Sequence, residues 1–166
     1  MVEWTLVVTP MDVNIKLSIK DRSLLVDTKR YRSLIGSLVY LCNTRPNISF
    51  AVGILSKFTN KPREIHWKAG IRVLKYIKGT PHFGVSYTLR NSLIGYCDSD
   101  WAGYIDSRKS ASGYCFLFGN GIISWTSKKQ PTVSLSSTEA EYKSTCLTLC
   151  ESVWIRRLLT DISDSL

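Results

Sequence analysis

The sequence predicts a mixed α+β protein, with helices in its first half and an antiparallel sheet followed by a long helix in its second half. Up to about residue 80 the apolar residues recur at helical spacing, whereas after Pro81 they alternate as they do in strands. Helical spacing returns after residue 136. The 166 residues, 44% of them apolar and 11% aromatic, suffice for a buried core and exclude a disordered chain.

Three helices are predicted in the first half of the chain. The first covers residues 30–42 and ends before Pro46, because proline breaks the helical pattern. The second covers residues 47–58. The third covers residues 63–78 and ends at Gly79, a glycine stop that is soon followed by a proline.

The second half of the chain is predicted to contain a sheet and one helix. The alternating segments predict strands at residues 85–89, 93–98, 113–118 and 122–127. The last two strands form a hairpin, because Asn120-Gly121 suits the positive φ angles of a type I′ turn. The final helix covers about residues 136–159, and the change of period divides the chain into domains at 1–82 and 83–166.

The final helix has two contrasting sides. Glu141 is followed by small polar residues at i+4, i+7 and i+11, so this stripe is able to approach a sheet closely; the residues are Thr145, Thr148 and Ser152. The apolar side is expected to provide the hydrophobic packing; its residues are Ala140, Leu147, Cys150, Val153, Trp154 and Leu158.

Positive charge is concentrated in the first half of the chain. Residues 1–90 hold 15 Lys and Arg against 5 Asp and Glu, a balance of +10, and residues 91–166 hold 7 against 8, a balance of −1. Such an excess favours a nucleic-acid partner, with a solvated basic surface as the alternative. The third helix carries a basic stripe suited to phosphate contacts, or to an ordinary solvated face: Lys68, Arg72, Lys75 and Lys78.

Several classes of protein are excluded or disfavoured. Five cysteines at irregular spacings, with no CxxC pair and only two histidines, argue against a zinc site and against a disulfide scaffold. No apolar run approaches the ~18 residues of a membrane-spanning helix, and residues 1–20 lack the form of a signal peptide. The sequence therefore predicts a protein of the cytoplasm or nucleus that does not bind membranes.

Carboxylates cluster at two points that the predicted fold is able to bring together. Asp98 ends an apolar strand, and Asp100 and Asp106 follow it, where a turn role is the alternative. Glu139 and Glu141 lie in the first turn of the final helix, where a capping role is the alternative. Carboxylates from a strand end and a helix start suit Mg²⁺, which prefers oxygen ligands.

Four ordered motifs resemble the ribonuclease H domain of copia-type LTR retrotransposon polyproteins. They are Leu93 to Gly103, Arg108 to Tyr114, Ile123 to Gln130 and Ser136 to Tyr142. Upstream segments resemble the reverse-transcriptase tail and connection that precede this domain: Pro10 to Asp12, Tyr31 to Gly36, Thr44 to Ile48 and Leu74 to Thr80. The resemblance covers nearly the whole chain from about residue 10.

The resemblance implies a partial ribonuclease H-like fold that acts on RNA/DNA hybrids. Residues 1–82 correspond to the reverse-transcriptase tail and connection, and residues 83–166 to the start of the nuclease domain. Asp98 matches the family's first-strand metal ligand and Glu141 its helix ligand, with Asp100 as an additional candidate. In the family, two Mg²⁺ ions activate water and stabilise the leaving oxygen.

The sequence departs from the family after the long helix. The family's third ligand is an aspartate on a later strand, and only residues 162–166 follow Asp161 here. The resemblance therefore implies an incomplete magnesium site and a sheet without its later strands. The missing strand would pair with residues 93–98, so this edge is expected to self-associate or to be covered by residues 85–89.

Three functions follow from these observations. The first is a retrotransposon-derived fragment that binds RNA/DNA hybrid or another nucleic acid, with weak or absent cleavage. The second is an active Mg²⁺-dependent ribonuclease H, and the third is a structural or interaction module without catalysis. Further phosphate contacts are expected from basic residues in the strand connections: Arg108, Lys109, Lys128 and Lys129.

Overall fold

A computed structural model describes residues 7–12, 15, 17–87 and 92–163 of the protein. The chain forms two compact units, Met1–Val85 and Ser86–Leu166. In the described residues the first unit is helical, and the second contains a three-stranded antiparallel sheet and a long helix. The predicted mixed α+β class is confirmed, and the architecture is consistent with a partial ribonuclease H-like domain.

Three α-helices form the first unit: α1 (Thr28–Leu41), α2 (Ser49–Leu55) and α3 (Glu64–Gly79). Helix α1 begins two residues before its predicted start, because the Asp27 carboxylate accepts hydrogen bonds from two backbone N–H groups of the first turn. Helix α2 is shorter than predicted and lies between two 3₁₀ turns, Pro46–Ile48 and Ser56–Phe58.

The core of this unit lies between the three helices. Its fully or nearly fully buried residues include Tyr31, Ile35, Leu38, Leu55 and Val73. His66 is also fully buried and stacks on the Phe58 ring, with the ring centroids 3.8 Å apart. The Nδ1 atom of His66 accepts a hydrogen bond from the Arg63 backbone N–H, so this histidine has a structural role.

The second unit contains strands β1 (Leu93–Asp100), β2 (Ala111–Phe118) and β3 (Gly121–Lys129), in the spatial order β1-β2-β3. Helix α4 (Ser137–Ser163) packs on β1 and β2. The predicted hairpin is present, but its two turn residues are Gly119 and Asn120, and only Gly119 has a positive φ, 63°. This pattern fits a type II′ turn, which takes glycine at the first central position, and not the predicted type I′ turn.

The predicted strand at residues 85–89 is wrong in its described part. Residues 85–87 have no regular structure, and residues 88 and 89 lie outside the described residues. Tyr87 lies beside the start of β3, where its hydroxyl donates to the Ile122 carbonyl. The described part of this segment therefore does not pair with β1.

The prediction that the apolar side of α4 provides its packing surface is also wrong. Leu147, Val153, Trp154 and Leu158 are all exposed, and Cys150 is exposed with them. The buried residues of the helix are Ala140, Ser144 and Ile155, which are spaced to form one stripe towards the sheet. A stripe with small residues replaces the expected apolar one because it allows the helix backbone to approach the strands.

The described helices include none that is both long enough and apolar enough to cross a membrane. The five cysteines, all of them among the described residues, are free thiols.

Candidate functional site

One end of the sheet brings together most of the polar residues singled out in the second half of the sequence. The last residues of β1 pair with the first residues of β2, with Asp98 opposite Gly113 and Asp100 opposite Ala111. Ala111 in turn pairs with Lys129 at the end of β3. Helix α4 begins at this same end, because the carbonyl of Ala140 accepts a hydrogen bond from Gln130, directly after β3.

Helix α4 is fastened to β1 at the position of Asp98. The Ser144 hydroxyl lies 2.6 Å from the Asp98 carbonyl oxygen and 3.4 Å from that of Gly113. One residue before Asp98 on β1 and one residue after Ser144 on α4, the Sγ atom of Cys97 lies 3.8 Å from the Oγ1 atom of Thr145. The small stripe on α4 therefore lies close to β1, with Glu141 one turn before Thr145.

The carboxylates of Asp98 and Glu141 reach this end of β1 from different sides. Cys97 faces α4, and successive strand residues point to opposite faces, so the Asp98 side chain leaves β1 on the face that α4 does not cover. Glu141 lies on the flank of α4 that is nearest β1. Both residues are exposed. Their joint use as metal ligands stays a prediction.

Asp100, the additional candidate ligand, turns towards its own loop. Its carboxylate occupies the space beside Gly103, where a Cβ atom would lie only 1.9 Å from Oδ2. Burial raises the pKa of the nearby Tyr104 hydroxyl, and the charge of Asp100 adds to this effect. These contacts fit the turn role that the sequence offered as the alternative for Asp100.

The two glutamates at the start of α4 have different environments. Glu139 forms an ion pair with Lys143 and accepts a hydrogen bond from the Leu135 backbone N–H, and these bonds lower the pKa of its carboxyl. Glu139 therefore caps the helix, as the sequence allowed for one of the pair. Glu141 makes no ion pair with the described residues, which leaves its carboxylate available for a ligand.

The candidate ligands for Mg²⁺ are of a suitable chemical type, but they are few. Asp98 and Glu141 supply oxygen atoms, which Mg²⁺ prefers. Within residues 7–12, 15, 17–87 and 92–163, however, no three His, Cys, Asp or Glu side chains group together in a way that could hold a metal ion. The described residues therefore do not fit a complete two-ion site.

A buried polar network that the sequence did not indicate supports this end of the sheet. The side-chain amide of Gln130 donates to the Ser112 hydroxyl and to the Ala140 carbonyl, at 2.9 Å each. Its oxygen accepts from the Ser134 hydroxyl at 2.8 Å. Ser112 pairs with Ser99, the neighbour of Asp98, while Ala140 is the neighbour of Glu141. Gln130 thus links β2, the strand that pairs with β1 beside Asp98, to the first turn of α4 beside Glu141.

Much of the basic stripe on α3 interacts within its own unit. Lys68 forms an ion pair with Glu64 at 2.8 Å. Arg72 bonds to the carbonyl and hydroxyl of Thr9, and its guanidinium lies 3.9 Å from the Asp12 carboxylate. Lys75 and Lys78 also have partners, although Lys78 is exposed. The predicted nucleic-acid role of these four residues stays a prediction.

The four basic residues predicted as phosphate contacts in the strand connections divide into two pairs. The Lys109 ammonium donates to the Pro131 carbonyl, and the Lys129 ammonium lies over the Tyr104 ring, 5.7 Å from its centroid. Arg108 and Lys128 are exposed and form no ion pair with the described residues. Arg108 has a positive φ of 52° in the loop after β1, and Lys128 pairs with Ser112. Both lie at the same end of the sheet as Asp98.

The fold and the site define the class of this protein. It is an α+β protein with carboxylates and exposed cations at one end of a three-stranded sheet. The chain is 46% identical to the retrovirus-related Pol polyprotein from transposon RE2 of Arabidopsis thaliana and 47% identical to the one from transposon RE1 of the same plant. Each alignment extends over 158 residues and covers 94% of this chain. It is also 46% identical over 128 residues to secreted RxLR effector protein 161 of Plasmopara viticola, covering 75% of this chain and 90% of that protein.

The chain is therefore similar over 94% of its length to retrovirus-related Pol polyproteins from transposons, which supports its being a retrotransposon-derived fragment. It spans about a tenth of the length of the two Arabidopsis polyproteins, 11% in each case. No protein-family model matches the chain, and no solved structure matches it significantly.

Proposed function

We propose that the chain is the reverse-transcriptase tail and connection, followed by the start of the ribonuclease H region, of a copia-type polyprotein, and that it binds RNA/DNA hybrid or a related nucleic acid. The observation that carries this proposal is the gathering of Asp98, Glu141, Arg108 and Lys128 at one end of the sheet unit. Exposed cations at the same end of the sheet as exposed carboxylates suit a phosphate backbone whose scissile group is approached by a hard cation.

Mg²⁺ is the proposed cofactor, with Asp98 and Glu141 as its ligands and Asp100 as an additional candidate. When bound, such ions activate water and stabilise the leaving oxygen of a phosphodiester. Because a two-ion site needs more carboxylates than the two proposed here, the 166-residue chain alone is expected to bind nucleic acid but to cleave it weakly or not at all.

Binding of RNA/DNA hybrid is expected to weaken steeply as salt increases, because each phosphate contact releases counterions. The variant with both Arg108→Ala and Lys128→Ala should bind several-fold more weakly, and its logarithmic salt slope should be smaller by about 1 for each lost contact. The measurement is fluorescence anisotropy of a labelled hybrid over a salt series.

Arg30→Ala provides the matched control for this titration. Arg30 has the same charge as Arg108, and its side chain is 81% exposed on α1. It should leave both affinity and salt slope nearly unchanged. If the wild-type chain has no affinity for hybrid at low salt, or an affinity that salt does not change, the binding proposal is wrong and a structural module is the better description.

Cleavage of an end-labelled hybrid tests the second part of the proposal. With Mg²⁺ or Mn²⁺ present, the wild-type chain, Asp98→Asn and Glu141→Gln should all give the same background level of products. Wild-type cleavage that both substitutions abolish would contradict this expectation and would establish an active ribonuclease H, in which the two carboxylates are metal ligands.

A further inference from the structure

Residues 17–26, which we call the strap, are bonded to the start of α3. The Arg63 guanidinium donates to the Ser23 carbonyl at 2.6 Å, and the Glu64 backbone N–H donates to the Leu24 carbonyl at 2.9 Å. These donors belong to the last residue before α3 and to its first residue. The second half of the strap is therefore attached at the point where the helix begins.

His66, in the first turn of α3, attaches the beginning of the strap. Its Nδ1 atom accepts a hydrogen bond from the Arg63 backbone N–H at 3.0 Å, and its Nε2 atom lies 3.2 Å from the Ser18 carbonyl oxygen. Because Nδ1 is an acceptor, the ring is neutral and carries its hydrogen on Nε2, which donates to Ser18. The attachment of Ser18 therefore depends on one protonation state of one side chain.

Protonation of His66 is incompatible with these contacts. The imidazolium form has a hydrogen on both ring nitrogens, so the hydrogen on Nδ1 would point at the Arg63 N–H, a donor against a donor. The ring is fully buried and stacks on Phe58, so water does not reach it to replace the lost bond. A buried charged group that loses a hydrogen bond is costly, whereas an exposed imidazolium is well solvated. Acid therefore favours a state in which the ring has left this position.

The charged groups near His66 act in opposite directions. Asp21 of the strap is close enough to interact electrostatically with both His66 and Arg63, and its carboxylate favours a charged ring, whereas the Arg63 guanidinium disfavours one. The other charged residues on the strap, on the Ser56–Phe58 turn and on the first turn of α3 are Lys20 and Arg22, both exposed, Lys57, and Glu64, which pairs with Lys68. Since Asp21 and Arg63 have opposite signs, the reversed hydrogen bond at Nδ1 decides the direction of the pH effect.

We propose that the strap is a pH-sensitive latch, closed on α3 while His66 is neutral and opened when His66 takes up a proton. Leu17, at the beginning of the strap, is 8% exposed and belongs to the core of the helical unit. Opening at Ser18 therefore also withdraws one apolar side chain from that core, while the helices supply most of its buried residues. The closed strap is stable above the pH at which an exposed histidine titrates, about 6.5, and this stability is lost as the pH falls below it.

Hydrogen exchange of the full 166-residue chain without nucleic acid tests this proposal independently of the proposed function. Exchange is compared at pH 7.5 and pH 5.0 after correction for the intrinsic effect of pH on amide exchange. The Arg63 and Glu64 amides report on the latch, because they donate to the His66 ring and to the strap. Their protection should fall at pH 5.0 by up to about 30-fold, the excess of protonated over neutral side chain for an exposed histidine. The Val73 amide, in the middle of α3, should keep its protection.

The two histidines of the chain provide a matched pair of variants. His66→Gln keeps an acceptor for the Arg63 N–H, as glutamine does in a capping box, but does not titrate. The protection of Arg63 and Glu64 should then be lower than in the wild type at pH 7.5 and unchanged at pH 5.0. His82→Gln removes the exposed histidine and should keep the wild-type response to pH.

Ring ¹⁵N NMR of the wild-type chain keeps the latch testable if His66→Gln does not fold. The neutral ring protonated on Nε2 is expected at pH 7.5, and further protonation should coincide with the loss of protection at Arg63. Wild-type protection that pH does not change, or a charged His66 ring while Arg63 is still protected, would overturn the proposal. A pH response that survives in His66→Gln or disappears in His82→Gln would do so too, as would simultaneous loss of protection at Val73.

Discussion

Substitution of Tyr31 by alanine is expected to destabilise the helical unit by about 3–5 kcal/mol, the range for removing a large aromatic side chain from a core. Tyr31 is fully buried between α1 and α2, and burial raises the pKa of its hydroxyl, which donates to the Leu55 carbonyl at 2.9 Å. Leu55 ends α2, where a carbonyl has no partner within the helix. The substitution therefore leaves a cavity and removes the side-chain hydrogen bond to the Leu55 carbonyl.

Urea denaturation followed by circular dichroism measures this loss. Tyr31→Phe keeps the ring and removes only the hydrogen bond, so it should cost about 1–2 kcal/mol. Tyr40→Ala is the matched control, because Tyr40 is a tyrosine of the same helix that is 80% exposed, and it should change stability by less than about 0.5 kcal/mol. Equal effects of Tyr31→Ala and Tyr40→Ala would show that the described core is wrong.

The helices of the first unit were predictable because their apolar residues recur with a single period over three or four turns. Their ends were less predictable, since they depend on individual side chains such as Asp27, which caps α1 from outside the periodic segment. The second helix shows another limit. Over three residues, a 3₁₀ turn such as Ser56–Phe58 has almost the same apolar spacing as an α-helix, so the pattern did not separate them.

Helix α4 shows why amphipathic periodicity is insufficient when a helix packs on a sheet through small residues. The most hydrophobic stripe of the sequence identified Trp154 and Leu158, yet both are exposed. The sheet-facing stripe includes Ser144, whose hydroxyl bonds to strand carbonyls and so remains satisfied when buried. The small stripe after Glu141 was the better guide, because side-chain size limits how closely two backbones approach.

The candidate site was predictable only where residue type and local position carry the chemistry. Asp98 at a strand end and Glu141 at a helix start could be selected from such local features and from the family resemblance. The environments that distinguish Glu139 from Glu141 could not, because they depend on Lys143 and on the backbone of Leu135. Gln130 was missed for a similar reason: its importance comes from partners distant in sequence, and a lone glutamine after a strand gives no signal.

The network around Gln130 leads to a second large effect. Gln130→Ala removes two donated hydrogen bonds and one accepted bond from a side chain that is only 3% exposed. The Ser112 hydroxyl, the Ala140 carbonyl and the Ser134 hydroxyl would each lose a partner. Because a buried polar group without a partner costs about 1–3 kcal/mol and these groups share one network, a total loss of roughly 2–4 kcal/mol is expected.

Hydrogen exchange localises this effect as well as measuring it. In Gln130→Ala the amides in the first two turns of α4 should exchange faster than those near its middle, because Gln130 holds the helix start against β2. Gln130→Met keeps most of the volume and loses the hydrogen bonds, so it should resemble the alanine variant if the network dominates. Ser134→Ala removes one of the three Gln130 bonds, together with the bond that the Ser134 hydroxyl accepts from Lys143, and should cost about 1 kcal/mol. Unchanged exchange at residues 137–144 in Gln130→Ala would mean that Ser144 alone positions Glu141 relative to Asp98, through its bond to the Asp98 carbonyl.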